Sequence, residues 1–236
     1  MSIRTVRIVR IGTIPIEQFE QPIVWSMKRR MGISGASSVT LIKNEKTTLL
    51  VDTGFENEAD GSLLNKERNE SKLRERLLMM GYNPKDIMNV FITHWHRDHF
   101  GNLDLFSNAK IYTSKTAISY RRLDNRFPNL VGVKNGDELI TGVRVLATPG
   151  HTTDHSSLQF VYNDLKFVVA GDAVTSLSYY LAGKTWSYNP DFSSHKLAKK
   201  SLQTIIKIAD VIIPGHGAPF FVNDEKNSRN GDRLEI

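Results

Sequence analysis

The sequence predicts an α/β fold of two sheets packed face to face, with helices outside and polar strand ends meeting at one edge. Three observations predict it. Short apolar runs of strand length alternate with amphipathic, helix-length stretches along 236 residues, 40% of them hydrophobic. The order hairpin, aspartate, helix, strand, histidine occurs twice. The apolar strands of that order run straight into the aspartates and histidines, beside glycine, proline or threonine. This length and apolar content can bury a core without disulfides, and the expectation is a single domain over 1–236 in two pseudo-repeated halves, roughly 1–130 and 131–236.

In the first half, Val6 to Ile11 alternates as a strand does. Val39 to Ile42 and Thr48 to Val51 form a hairpin about Asn44-Glu45-Lys46 and end in ValAspThrGly (51–54). The polar stretch from Phe55 to Glu70 reads as a loop, and Ser71 to Met80 as a helix stopped by Gly81. Asn89 to Ile92 is a strand leading into His94 and His96. In the second half, Val143 to Leu146 precedes ThrProGlyHis, and Leu158 to Tyr162 turns through Asn163-Asp164 into Leu165 to Val169 and AlaGlyAspAla (170–173). Ala198, Leu202, Ile205, Ile206 and Ala209 mark an amphipathic helix capped by Ser194, and Val211 to Ile213 is the last strand. The polar tail from Asn223 to Ile236 is expected to be loosely ordered.

Composition narrows the chemistry. Cysteine is absent, which excludes a disulfide framework and thiolate ligation and leaves histidine and carboxylate as the strong metal ligands. MSIRTVRIVRIG alternates apolar and charged residues and lacks the apolar core of a signal peptide. No run reaches the ~18 apolar residues of a membrane span, so a soluble, cytoplasmic protein is expected, with a homodimer left open. The net charge of +6 sets 31 basic against 25 acidic residues, which admits nucleic acid as a partner without requiring it.

ThrHisTrpHisArgAspHis (93–99) places four candidate ligands just past a strand and holds three of the seven histidines. On an extended segment His94 and His96 point the same way and can face one metal. After a turn, Asp98 and His99 can face a second. Pro149 and Gly150 turn His151 back over the strand ends. Asp172 follows Gly171, whose missing Cβ lets backbone approach closely, and its two oxygens can bridge two cations. His216 stands at the last strand end in ProGlyHisGly. The set thus divides into His94, His96 and His151 for one metal, Asp98, His99 and His216 for the other, with Asp172 between. Two divalent cations about 3.5–4 Å apart would share a hydroxide as nucleophile, with Asp98 as the catalytic proton carrier. Imidazole and carboxylate suit Zn2+ best, with manganese and iron admissible.

HisXHisXAspHis, ThrProGlyHis, GlyAsp and ProGlyHisGly together resemble the metallo-β-lactamase superfamily over nearly the whole chain. The resemblance implies the αββα sandwich, a metal-dependent hydrolase and usually a pair of zinc ions. It also implies that Asp52, in ValAspThrGly, orients a ligand imidazole. His155 is expected to hydrogen-bond behind the metals, and His195 to be a surface residue at a helix start.

The lack of cysteine, together with Asp172, speaks against β-lactams as substrate. ThrHisTrpHisArgAspHis, ThrProGlyHisThrThrAspHis (148–155) and LysAsnGlyAspGluLeuIle (134–140) are similar to the small endoribonuclease branch called β-lactamase-like protein 2, although Asn102 stands where that branch usually has glycine. PheGlyAsnLeuAspLeuPhe (100–106) and ProGlyHisGlyAlaProPhe (214–220) resemble the branch called metallo-β-lactamase domain-containing protein 1. Both imply cleavage of single-stranded RNA. Trp95, Tyr179, Tyr180, Trp186 and Tyr188 could then stack bases, could equally line an apolar pocket for an acyl chain, or could simply be buried. Lys28, Arg29, Arg30, Arg121, Arg122, Lys199 and Lys200 would be the candidates to meet phosphate. The alternatives are a small thioester or lactone hydrolase (glyoxalase II-like or lactonase-like) and a mononuclear iron persulfide dioxygenase.

Overall fold

Strands that carry apolar residues on both faces must be covered on both, and this requirement organises the molecule. In the computed structural model, which describes residues 2–14, 23, 27, 35–56, 63–123 and 126–222, twelve strands form two six-stranded mixed sheets. The first sheet comprises β1 (Thr5–Arg10), β2 (Val39–Lys43), β3 (Thr48–Val51), β4 (Asn89–Phe91), β5 (Lys110–Ser114) and β6 (Leu130–Val133), paired in that order. The second comprises β7 (Glu138–Ile140), β8 (Val143–Ala147), β9 (Ser156–Tyr162), β10 (Leu165–Gly171), β11 (Val211–Pro214) and β12 (Phe220–Phe221), again paired in order.

Alternation along each strand divides the core into three layers. Leu49, Val51 and Phe91 point between the sheets and meet Val143, Leu158, Val169 and Ile213. Leu41, Leu50 and Val90 point the other way, onto Leu73 and Leu77 of helix α1 (Leu63–Met79). Val168, Ala170 and Ile212 lie under Leu202 and Ile205 of α5 (His195–Ile208). Helix, sheet, sheet, helix is the expected αββα sandwich. The repeated unit is visible in the pairing: β2 and β3 are antiparallel and β3 and β4 parallel, as β9 and β10 are antiparallel and β10 and β11 parallel.

Several expectations need correction. The stretch expected as a loop to Glu70 is helical from Leu63, while 57–62 fall outside the described residues. Its polarity misleads because Asn65 and Asn69 are buried, and Asn69 caps the turn by accepting from Glu56 N at 2.8 Å. Gly81 does stop the helix, with φ +82°. Strands β5, β6 and β7 have no sequence counterpart, nor do the short helices α2 (Arg97–Phe100), α3 (Lys115–Arg121) and α4 (Leu177–Leu181). The strand expected to be last is followed by β12, which at two residues is too short for a periodic signal. The tail 223–236 lies outside the described residues. Among the described residues, no helix is long and apolar enough to cross a membrane.

Candidate metal centre

The carboxyl ends of β3, β4, β8, β10 and β11 open on the same edge of the sandwich, and the loops leaving them carry the candidate ligands. Tight turns bring these side chains inward. Gly150, at φ +141°, seats its loop against Ala198 at the start of α5, where any Cβ would strike the helix backbone. Gly215 lies so close to Asp172 that a Cβ there would overlap Oδ1 of the carboxylate. Asp52 adopts a left-handed conformation, φ +58°, unusual for a residue other than glycine. That twist aims its carboxylate back across the sheet edge.

Two groups result. His94, His96, His151 and Asp172 offer ligand atoms that all lie within 4.8 Å of one another, and so do Asp98, His99 and His216. In the first group Nδ1 of His96 is 2.9 Å from Nε2 of His94 and 3.1 Å from Nε2 of His151. In the second, Asp98 Oδ2 is 3.6 Å from His99 Nε2 and 3.4 Å from His216 Nε2. Asp172 divides its oxygens between them. Oδ2 faces His151 Nε2 at 3.3 Å, whereas Oδ1 faces His99 and His216 Nε2 at 3.4 and 3.3 Å.

The outward nitrogens are nearly all engaged, which fixes each tautomer. His99 Nδ1 donates to Asp52 Oδ2 at 2.8 Å, His216 Nδ1 to Thr13 O at 2.7 Å and His151 Nδ1 to Trp186 O at 3.3 Å. Thr93 Oγ1 donates to Asp52 Oδ2 at 2.8 Å, leaving a lone pair for His94 Nδ1 at 3.2 Å. His155 accepts from Asp172 N at 3.1 Å and passes the chain on to Thr148 Oγ1 at 2.8 Å. By contrast, His99 Nε2 and Asp172 Oδ1 are buried without a hydrogen-bond partner. Orphaned buried polar atoms are costly, and a cation held at the second group is a partner to which a nitrogen lone pair and a carboxylate oxygen can both donate.

Electrostatics separates the groups. Burial, reinforced by neighbouring imidazoles, holds His94 well below its ordinary pKa, and burial lowers His151 to about 3 and His155 to about 4. For His94 and His151 this favours the neutral ring that a metal ion requires. Burial acts the same way on His99 and His216, but carboxylates outweigh it: Asp52, Asp98 and Asp172 raise His99, and Asp172 and Asp98 raise His216. Burial opposes charge on Asp172 too, yet His216, His99 and His151 keep it well below the carboxylate range.

All seven candidate ligands therefore gather, with Asp52 and His155 directly behind them. Sequence reasoning missed Asp191. Its Oδ1 takes His96 Nε2 at 2.7 Å, and its Oδ2 takes Arg121 Nη2 at 2.6 Å. No local signal marks an aspartate in a polar loop 95 residues from its histidine. The expected substrate platform does not assemble as one surface. Trp95 is in the core, its indole N–H on Thr113 Oγ1 at 2.9 Å and its ring against Phe100 and Phe127. Tyr179 is buried as well, whereas Trp186 and Tyr188 are partly open. Of the expected phosphate contacts, Lys28, Arg29 and Arg30 lie outside the described residues, and Arg121 is held between Asp154 and Asp191. Arg122 ends α3 at φ +52°, Lys199 and Lys200 are exposed on α5, and His195 is exposed at its start.

A sandwich of this topology with paired histidine and aspartate groups at one edge defines a metal-dependent hydrolase. The chain belongs to the metallo-β-lactamase superfamily, whose model matches residues 33–216. Metallo-beta-lactamase domain-containing protein 1 of Xenopus laevis is 37% identical over 190 residues, covering 78% of this chain and 72% of that protein. The N-acyl homoserine lactonase of Bacillus cereus is 34% identical over 138 residues, which span 50% of this chain and 55% of the lactonase. The solved structure of an N-acyl homoserine lactone hydrolase, with product bound at its catalytic metal centre, superposes with a TM-score of 0.68 at 18% identity, covering 99% of this chain and 98% of that one.

Proposed function

We propose that the protein is a dinuclear-metal hydrolase of small cyclic or acyl esters, lactones first among them. The carrying observation is Asp172, whose two oxygens face different histidine groups at 3.3–3.4 Å. His94, His96 and His151 would hold one divalent ion and Asp98, His99 and His216 the other, with Asp172 shared. The cysteine-free donor set suits zinc. The second group, complete with an orphaned His99 Nε2, favours this reading over a mononuclear iron dioxygenase.

Bound divalent ions supply water of lowered pKa and polarise a carbonyl or phosphoryl oxygen. The chain's own groups do the rest. Asp172 and Asp98 bring negative charge that offsets two cations. Asp98 keeps 16% side-chain exposure where His99 and His216 are almost closed, so its carboxylate is the one of that group that an approaching substrate could reach. It can take the proton of the attacking water at Oδ and return it to the departing alkoxide, leaving a hydroxy acid and a regenerated carboxylate. Trp186 and Tyr188, in contact at 5.1 Å and partly open, offer apolar surface to an acyl chain.

The lactonase relatives support a small ester over RNA, as do the burial of Trp95 and the engagement of Arg121. The test is a panel of an N-acyl homoserine lactone, a thioester and labelled single-stranded RNA, presented to zinc-loaded wild type and Asp98→Asn. Lactone opening by wild type with a loss of about 100-fold or more in the variant is expected, the range for a lost proton-transfer group. RNA cleavage that depends on Asp98, with no turnover of either ester, would replace this reading with the endoribonuclease.

A further inference from the structure

His96 differs from the other candidate ligands in its orientation. His94, His99, His151 and His216 present Nε2 to the centre, whereas His96 presents Nδ1. A ring in an extended segment can swing or flip about its side-chain bonds, so some contact must hold it this way. The ring's far nitrogen supplies that contact, donating to Asp191 Oδ1 at 2.7 Å.

Asp191 is itself fixed from two sides. Asn189 Nδ2 donates to Oδ1 at 3.1 Å and also to His151 O at 3.0 Å, tying the same loop to a second ligand. Arg121 Nη2 donates to Oδ2 at 2.6 Å. Arg121 then forks onto Asp154, through Nε at 2.8 Å and Nη2 at 3.0 Å. Asp154 is closed to solvent and follows His151 in the loop that carries it. The chain His96–Asp191–Arg121–Asp154 thus runs from the loop after β4 through the loop before α5 and helix α3 to the loop after β8. Two loops that supply ligands to one ion are braced by the same guanidinium. A planar fork that satisfies two carboxylates at once is a demand arginine meets and lysine does not.

We infer that Asp191 is a positioning residue of the metal centre: braced by Arg121 and Asp154, it sets the ring of His96 with Nδ1 inward and so governs metal affinity at the His94, His96 and His151 site. The inference rests on the dinuclear reading above and concerns one of its two sites.

The test is metal binding itself. Metal-free wild type, Asp191→Asn, Arg121→Lys and the double variant are titrated with zinc against a chromophoric chelator, and with cobalt(II) for its ligand-field spectrum. Asp191→Asn keeps the size and removes the charged acceptor. The expected result is an affinity about 10–100-fold weaker at one site, the usual cost of losing such a partner, with an altered cobalt spectrum at that site. The second site and the melting temperature of the chelated protein should stay as in wild type. Arg121→Lys should cause a smaller loss at the same site, and the double variant should lose no more than Asp191→Asn, because Arg121 acts through Asp191. Wild-type affinity and spectrum at both sites in Asp191→Asn would overturn the inference. So would equal losses at both sites with a lowered melt of the chelated protein. If Asp191→Asn does not fold, Arg121→Lys decides alone: a loss confined to one site supports the inference, and wild-type binding overturns it. Failure of wild type to bind two equivalents would instead defeat the dinuclear reading, and is seen before any variant is compared.

Discussion

Asn102 occupies a position where the endoribonuclease-like pattern has glycine, and its side chain shows what the larger residue does. Fully buried, it donates to Thr53 O at 2.8 Å and Gly54 O at 3.2 Å, holding the loop after β3 against the histidine motif. Its backbone is at φ −101°, so nothing demands glycine. Asn102→Gly should destabilise the fold by about 1–3 kcal/mol, the cost of unpairing a buried polar group, read as a lower thermal midpoint. No change in the midpoint would mean that water replaces the amide. At this scale the sequence was most informative where residue chemistry is scarce. A single histidine or aspartate at a strand end marks little, but the ordered set of seven marked a site, and all seven candidate ligands converge. Asp191 escaped, and Arg121 was expected at phosphate instead, because surface-type residues in polar stretches look alike until folding sets them beside His96 and Asp154, across 95 and 33 residues of chain.

Among the elements, α5 shows how a local signal and a tertiary one combine. Ser194 accepts from Leu197 N, and the apolar face of the helix then lies on β10 and β11. Ser194→Ala should cost about 1 kcal/mol, as lost N-caps do, while leaving zinc affinity unchanged. A drop in metal binding would show that the cap also sets the Gly150 loop. Long alternating strands and this helix were legible from periodicity. Strands β6 and β7 were not, because β6 has three half-exposed residues of four and β7 has only three residues. The start of α1 was obscured for the opposite reason. Asn65 and Asn69 are polar residues turned inward, bonded to each other and to the loop at Glu56, and no hydrophobic pattern reports them.

For the whole molecule, the centre lies on the seam between the sheets. Each proposed ion draws on both: His94 and His96 with His151, and Asp98 and His99 with His216. Metal binding and cohesion of the two sheets are therefore the same equilibrium. Zinc at 100 times its dissociation constant should add about 2.7 kcal/mol for each site. Calorimetry with and without chelator should show the midpoint rise by several degrees on loading. An unchanged midpoint would mean that the folded chain does not bind the metal more tightly than the unfolded one.

Among the described residues the chain passes from one sheet to the other in a short turn between β6 and β7, where Lys134 N is held by Asp137 Oδ2 at 2.8 Å. Cutting the polypeptide there would give two fragments, each with an intact sheet and an incomplete set of ligands. The apolar layer between the sheets would draw such fragments together, and zinc would lock them. Co-expressed, they should behave as a two-input switch, with hydrolysis appearing only when both pieces and the metal are present.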